Sequence, residues 1–249
     1  MSGTQSLAAV ILAAGHGKRM KSELPKVLHE VGGEPLILHV IRQARGCGAD
    51  PVVVVVGHGR ERVIPVVRRE GVQYAVQERQ LGTGHAVLAA REYLAGGGGD
   101  VVVLSGDVPL LSVETLRSVI AYHRRQGAVA TMITAEAPDP SGYGRVLRGK
   151  DGRVIAIRED RDCTPGELEV TEINSGIYIF RVAPLFEALE TLDNDNAQGE
   201  YYLPDVFRRF FDRGLHVAAL PGRFEEVHGI NTPEDLARAN SIWAERKMS

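Results

Sequence analysis

The residues best suited to chemistry cluster early in the chain. Gly15-His16-Gly17-Lys18-Arg19-Met20 is followed by Lys21 and Lys26, so residues 18 to 26 hold four cations against one anion, Glu23. This local charge of +3 stands in a chain whose 29 Lys and Arg and 32 Asp and Glu leave a net charge of −3. Glycine lets backbone approach an anion closely, and clustered Arg and Lys neutralise it. A triphosphate suits that chemistry; a tight turn with solvated charges is the alternative. The GK[ST] ending of a Walker A loop is missing and Met20 takes the third glycine position of GxGxxG, which weakens ATPase and dinucleotide readings. Asp107 is a second candidate, because it directly follows the apolar run Asp100–Ser105. That position puts a carboxylate at the sheet's carboxyl edge, and a turn or cap before Pro109 is the competing role. His16, His85 and His216 show no spacing for acid–base work and read as structural. Cys47 and Cys163 make neither a CxxC nor a Cys/His cluster.

Positioning these groups falls to alternating strands and helices. Leu7–Ala14, Pro51–Gly57, Val72–Val76 and Asp100–Ser105 read as strands, the second with five consecutive valines. Between them lie amphipathic helices such as Pro35–Arg45, which presents Leu36, Ile37, Val40, Ile41 and Ala44 and stops at Gly46. Continuously apolar strands separated by helices predict a doubly wound, mostly parallel, Rossmann-like α/β sheet covered on both faces. Ligands of such sheets sit beyond the carboxyl ends of the strands, where both the cationic loop and Asp107 fall. Ala128–Ala135, Arg145–Leu147, Val154–Ile157 and Ile173–Phe180 predict a small antiparallel subsheet. Helices are expected at Ala183–Glu190, Leu203–Arg213 and Pro233–Lys247. Gly96–Gly99 reads as a flexible turn, so residues 1–249 are expected to form one domain, its halves at about 7–125 and 126–235 with a helix at about 232–247.

Composition narrows the function classes. With 44% apolar and 24% charged residues the chain is an ordinary globular protein, and a net charge of −3 offers no general attraction for nucleic acid or anionic lipid. The longest apolar run, Leu7–Ala14, is too short to span a bilayer and no basic residue precedes it. A cytoplasmic, reducing location is expected.

The loop extends into a longer pattern. LAAGHGKRM (12–20) and LPKVLHEVGGEPL (24–36) are followed by QERQLGTGHAV (77–87), LSGDVPLL (104–111), GYGRV (142–146), EINSG (172–176), NAQGEYYLPD (196–205) and GIN (229–231). In this order the blocks resemble the sugar-nucleotide pyrophosphorylases, and most of all their N-acetylglucosamine-1-phosphate uridylyltransferase branch. The resemblance implies a nucleotide-diphospho-sugar transferase type of fold and a Mg²⁺-assisted attack of a sugar-1-phosphate on the α-phosphorus of UTP, giving UDP-N-acetylglucosamine, a cell wall precursor, and pyrophosphate. It further implies that Arg19 and Lys26 are catalytic, that Leu12, Ala13, Gly15, Gly17, Gln77, Gly82 and Thr83 bind the nucleotide, that Gly144, Glu159 and Asn174 bind the sugar, and that Asp107 and Asn231 ligate the metal. Thr83 has a competing role as a helix N-cap, and Asn231 one as a cap ahead of Thr232-Pro233.

Two positions depart from the family pattern: Lys18 stands where threonine is usual, and Pro204 replaces the threonine of YYxTD. The pattern stops at residue 231 with one helix beyond, and no hexapeptide repeat of an acetyltransferase β-helix is present. Another sugar or dTTP is the close variant of the implied reaction. A non-catalytic sugar-nucleotide-binding regulatory subunit is the reading from a different class, and it would be expected to have lost Arg19, Lys26 or Asp107.

Overall fold

Successive side chains of a strand point to opposite faces, and here both faces are apolar. In the computed structural model, which describes residues 6–94 and 98–248, β1 (Leu7–Ala13), β2 (Val52–Val56), β3 (Gln73–Val76) and β4 (Asp100–Ser105) lie parallel. The helices between and after them are α1 (Leu36–Gly46), α2 (Arg60–Arg69), α3 (Thr83–Ala89) and α4 (Val113–Gln126). Ala9, Ile11, Val54 and Val102 pack on Ile37 and Ile41 of α1, Val63 of α2 and Leu116 of α4. Their alternates Val10, Val53, Val55 and Val103 pack on Ala86 and Val87 of α3 and on two later helices, α5 (Val182–Leu189) and α6 (Asp205–Asp212). The five valines of β2 are therefore all buried, and each contributes roughly 1.5–3 kcal/mol of transfer free energy.

Among the described residues the main sheet also takes in β5 (Ala130–Glu136), β6 (Arg145–Arg148), β7 (Val154–Arg158), β8 (Glu172–Arg181) and β9 (Val217–Pro221). Its order is β9-β5-β8-β4-β1-β2-β3, with β6 and β7 branching from β8. β8 runs antiparallel to both β4 and β5, while β9 is parallel to β5. The parallel sheet and the β6–β7 antiparallel unit match the sequence reading. That reading is corrected in two respects: β5 and most of β8 extend the main sheet, and β9 was not foreseen. Val217-Ala-Ala-Leu-Pro is short and weakly apolar, and its strand state comes from pairing with β5.

Local signals explain the helix ends. Ser112 caps α4 by accepting the N–H of Thr115 at 3.0 Å, and Gly127 at φ +61° closes it. The last helix, α7 (Pro233–Met248), sets Leu236, Ala239, Ile242 and Trp243 against Met20, Val31, Leu36 and Leu110. Met20, the apolar residue in the cationic loop, is thereby anchored. Of the glycine run, Gly96 and Gly97 lie outside the described residues. Among the described residues no helix is long and apolar enough to cross a membrane.

Candidate active site

The carboxyl ends of β1 and β4 open into a cleft of about 300 Å³ lined by Leu12, Ala13, Gly15, Lys26, Gln77, Gly82, Thr83 and Asp107, all expected from the sequence. Gly17, Arg19 and Asn231 are not part of its lining. Gly17 adopts φ +59°, and a Cβ there would stand 2.7 Å from the Cβ of Lys26. This glycine is what lets Lys26 approach the loop. After it the chain turns through Lys18–Met20, burying Met20 and leaving Lys18 and Arg19 exposed. Arg19 reaches toward the GYGRV loop, its Nη1 3.7 Å from where a Cβ on Gly142 would lie.

Lys26 ties the cationic loop to two distant segments. Its ammonium forms an ion pair with Asp107 and donates to Oδ1 of Asn231 at 3.1 Å. Asn231 also donates through Nδ2 to the carbonyl of Gly229 at 3.0 Å. The cap belongs instead to Thr232, whose Oγ1 accepts the N–H of Asp235 at 3.1 Å. Asn231 thus has a side chain committed to the site. Asp107 and Asn231 present oxygens to one cationic point, a donor set that fits a hard divalent ion. Among the described residues no group of three or more His, Cys, Asp or Glu could hold a metal by itself.

The side of the cleft that carries Gln77 adds contacts the sequence reading did not give. Gln77, only 3% exposed, donates through Nε2 to the carbonyl of Gly82 at 2.9 Å and faces Nδ1 of His85 at 3.0 Å. Burial, then the charge of Arg79, lowers the pKa of His85, which favours the neutral ring whose Nδ1 can accept. With both amide hydrogens engaged, Gln77 has only its carbonyl oxygen left for a ligand. Thr83 is not an N-cap: α3 begins at Thr83 itself after Gly82, and its Oγ1 accepts the N–H of Leu203 at 2.9 Å. Two further bonds fasten this turn to the NAQGEYYLPD segment, Tyr201 N–H to Leu81 O and Gly84 N–H to Tyr201 O, each 2.8 Å. A Cβ on Gly82 would lie 2.5 Å from Tyr201 O, so glycine is required there.

A second cleft of about 180 Å³ shares Leu12, Thr83 and Ser105 with the first, and Gly144, Glu159 and Asn174 line it together with Tyr143, Tyr178 and Pro204. Asn174 sits on β8 where the register with β5 shifts, and its Nδ2 donates to the Tyr178 hydroxyl at 2.6 Å. A Cβ on Gly144 would stand 3.2 Å from Glu159 Oε1 and 3.5 Å from Asn174 Cβ, so the three expected sugar residues are neighbours. Glu159 follows β7 and is not solvated surface. Burial, then Asp205, Asp162 and Asp160, pushes its carboxyl up to about 7. Behind it a pocket of about 120 Å³ contains Asp162 and Asp205 and shares Glu159 and Pro204 with the second cleft. Sequence reasoning did not single out Tyr143, which lines the second cleft, nor the structural contact of His85 with Gln77. Both lie inside blocks already singled out, and only their spatial partners reveal them.

A model of the MobA-like NTP transferase domain matches residues 9–210. The chain is 48% identical over 239 residues to the bifunctional protein GlmU of Halalkalibacterium halodurans, covering 96% of this chain and 52% of the relative. It is 49% identical over 236 residues to that of Geobacter sulfurreducens, covering 94% and 50%. It therefore spans about half the length of these curated relatives. A solved UDP-glucose pyrophosphorylase complexed with UDP-glucose superposes with a TM-score of 0.77 over 97% of this chain and 99% of the other, at 17% identity. That likeness bears on the fold alone and agrees with the nucleotide-diphospho-sugar transferase type expected. The family model and the relatives together establish that the chain is a nucleotidyltransferase domain and belongs to the MobA-like NTP transferase family.

Proposed function

We propose that this domain transfers a uridylyl group from UTP to N-acetylglucosamine-1-phosphate, giving UDP-N-acetylglucosamine and pyrophosphate. The observation that carries this reading is the meeting of two unlike clefts at Leu12, Thr83 and Ser105, one flanked by the cationic loop and the other lined by hydroxyl- and amide-binding groups. Relatives named GlmU over nearly the whole chain add support.

The chemistry follows from charge. A sugar phosphate is already an anion, so its oxygen attacks the α-phosphorus without a base, the bond to the β-phosphate oxygen breaks, and pyrophosphate departs with the electron pair. Such transfers need in-line positioning and neutralisation of developing charge. Gly15 and Gly17 would offer backbone to the phosphates and Arg19 would face the departing pyrophosphate. Lys26 has three N–H donors; two serve Asp107 and Asn231, and the third would serve the α-phosphate. Asp107 and Asn231 are the residues that would hold Mg²⁺, which when bound neutralises phosphate charge. On the sugar side Gly144, Glu159 and Asn174 hold hydroxyls and the acetamido group. The retention of Arg19, Lys26 and Asp107 supports catalysis over a purely regulatory role. A cytoplasmic setting accords with the two free thiols, Cys47 and Cys163.

Pyrophosphate release from four nucleotides against glucose-, glucosamine-, N-acetylglucosamine- and N-acetylgalactosamine-1-phosphates tests the proposal. UTP with N-acetylglucosamine-1-phosphate is expected to lead, because a site that hydrogen-bonds a substrate group strongly rejects the analogue lacking it. A clear preference for dTTP with glucose-1-phosphate would overturn the assignment.

A further inference from the structure

The loop that carries Gly144 and the turn that carries Asn231 are joined by one imidazole. Tyr143 donates its phenol O–H to Nδ1 of His228 at 2.7 Å, and Nε2 of His228 donates to Oδ1 of Asp235 at 3.0 Å. The other oxygen of Asp235 accepts the N–H groups of Asn231 and Thr232, each at 2.9 Å. Both ring nitrogens are thus committed, and since a carboxylate only accepts, Nε2 is a donor. Phe224 braces the assembly, its ring centroid 5.1 Å from that of His228 and 6.2 Å from that of Tyr143.

Each end of this chain of contacts reaches a different part of the site. Tyr143 lines the sugar-side cleft between Gly142 and Gly144. At the other end, Asp235 pins the backbone of Asn231, whose Oδ1 faces Lys26. Burial, then Asp235 and Asp107, holds the Tyr143 phenol up to about 12, so it remains a donor across ordinary pH.

We propose that His228 is a positioning residue that locks the sugar-side loop to the Asn231 turn, so that the placement of the Asn231 oxygen depends on the Tyr143 loop more than 80 residues away in the chain. The inference rests on the assignment of Asn231 to the metal and of the Gly142–Gly144 loop to the sugar made above. His228 would touch neither substrate nor ion. It acts through its two partners, as residues behind a metal ligand do.

The test uses His228→Phe, which keeps a ring against Phe224 and removes both hydrogen bonds, and Tyr143→Phe, which removes a single hydroxyl. Mn²⁺ titrated into the UTP-bound chain and followed by electron paramagnetic resonance reports the ion site without turnover. Both variants are expected to weaken Mn²⁺ by about tenfold, the usual loss behind a ligand, and to raise KM for the sugar phosphate while KM for UTP stays within about twofold. The double variant should be no worse than His228→Phe alone, because the two changes break one chain of contacts. If His228→Phe does not fold, Tyr143→Phe carries the same expectation. Mn²⁺ affinity within twofold of the parent in Tyr143→Phe would overturn the inference. A parent chain that releases no pyrophosphate from any substrate pair would sink the proposed function instead, and the Mn²⁺ titration would still decide this coupling.

Discussion

Gly17 and Lys26 are in such close contact that a methyl group at residue 17 would stand 2.7 Å from the Lys26 Cβ. Gly17→Ala therefore both strains a left-handed backbone, at about 1–2 kcal/mol, and displaces the Lys26 side chain. Thermal unfolding should show the first effect, and a fall in kcat of roughly tenfold or more the second. At Gly15 no atom lies within 4 Å of a built Cβ. Gly15→Ala is expected to melt with the parent but to raise KM for the nucleotide. Equal melting losses in the two variants would refute this division.

Asp107→Asn keeps shape and removes the charge that faces Lys26. Turnover is expected to fall by roughly 10²-fold or more, as for Arg19→Ala and Lys26→Ala, equivalent to about 2.7 kcal/mol of lost transition-state stabilisation. Lys18→Thr should cost little, since the Lys18 side chain is exposed. Pyrophosphate release under saturating Mg²⁺ measures all four. Near-parental rates for Asp107→Asn would remove that carboxylate from the mechanism.

Thr83→Val leaves the Leu203 N–H without its acceptor at 2.9 Å. An unpaired amide there costs about 1–3 kcal/mol and loosens the link between the Gly82 turn and Pro204, so KM should rise for both substrates. Thr83→Ser keeps the hydroxyl and is expected to behave as the parent does. A Thr83→Val chain with unchanged KM values would show that the link carries no binding role.

Glu159 holds its proton more tightly folded than unfolded, with its carboxyl raised from 4.5 to about 7. Its contribution to stability is therefore fully present below pH 4.5 and is lost as the pH rises through about 7. Glu159→Gln cannot ionise, so its melting temperature relative to the parent should climb between pH 5 and pH 8. A pH-independent difference would show that neither burial nor the acidic neighbours raise this carboxyl.

The first half of the fold was readable because β1, β2 and β4 are apolar on both faces and alternate with amphipathic helices, the pattern of a covered parallel sheet. The second half was harder. β9 owes its strand state to β5 and not to its own residues, and β8 looks the same in sequence whether it pairs in a subsheet or in the main sheet. Residue types at the site were legible through the motif blocks, while partners were not. Gln77 could be foreseen in the lining of the first cleft, but the spending of its amide hydrogens on Gly82 and His85 depends on a turn geometry the one-dimensional pattern does not carry. Thr83 failed as a cap for the same reason, because a backbone N–H from residue 203 claims its hydroxyl.

The reversed strand β8 also sets a schedule for synthesis. β4 ends at Ser105, but the strand that covers its open side, through Val101, Val102 and Val103, is complete only at Arg181. At 5–20 residues per second the ribosome leaves that valine edge uncovered for roughly 4–15 s, with unpaired amides able to recruit another chain. A fragment ending at Gln126 would keep the edge open permanently, and is expected to form larger, concentration-dependent aggregates in sedimentation than residues 1–249 do.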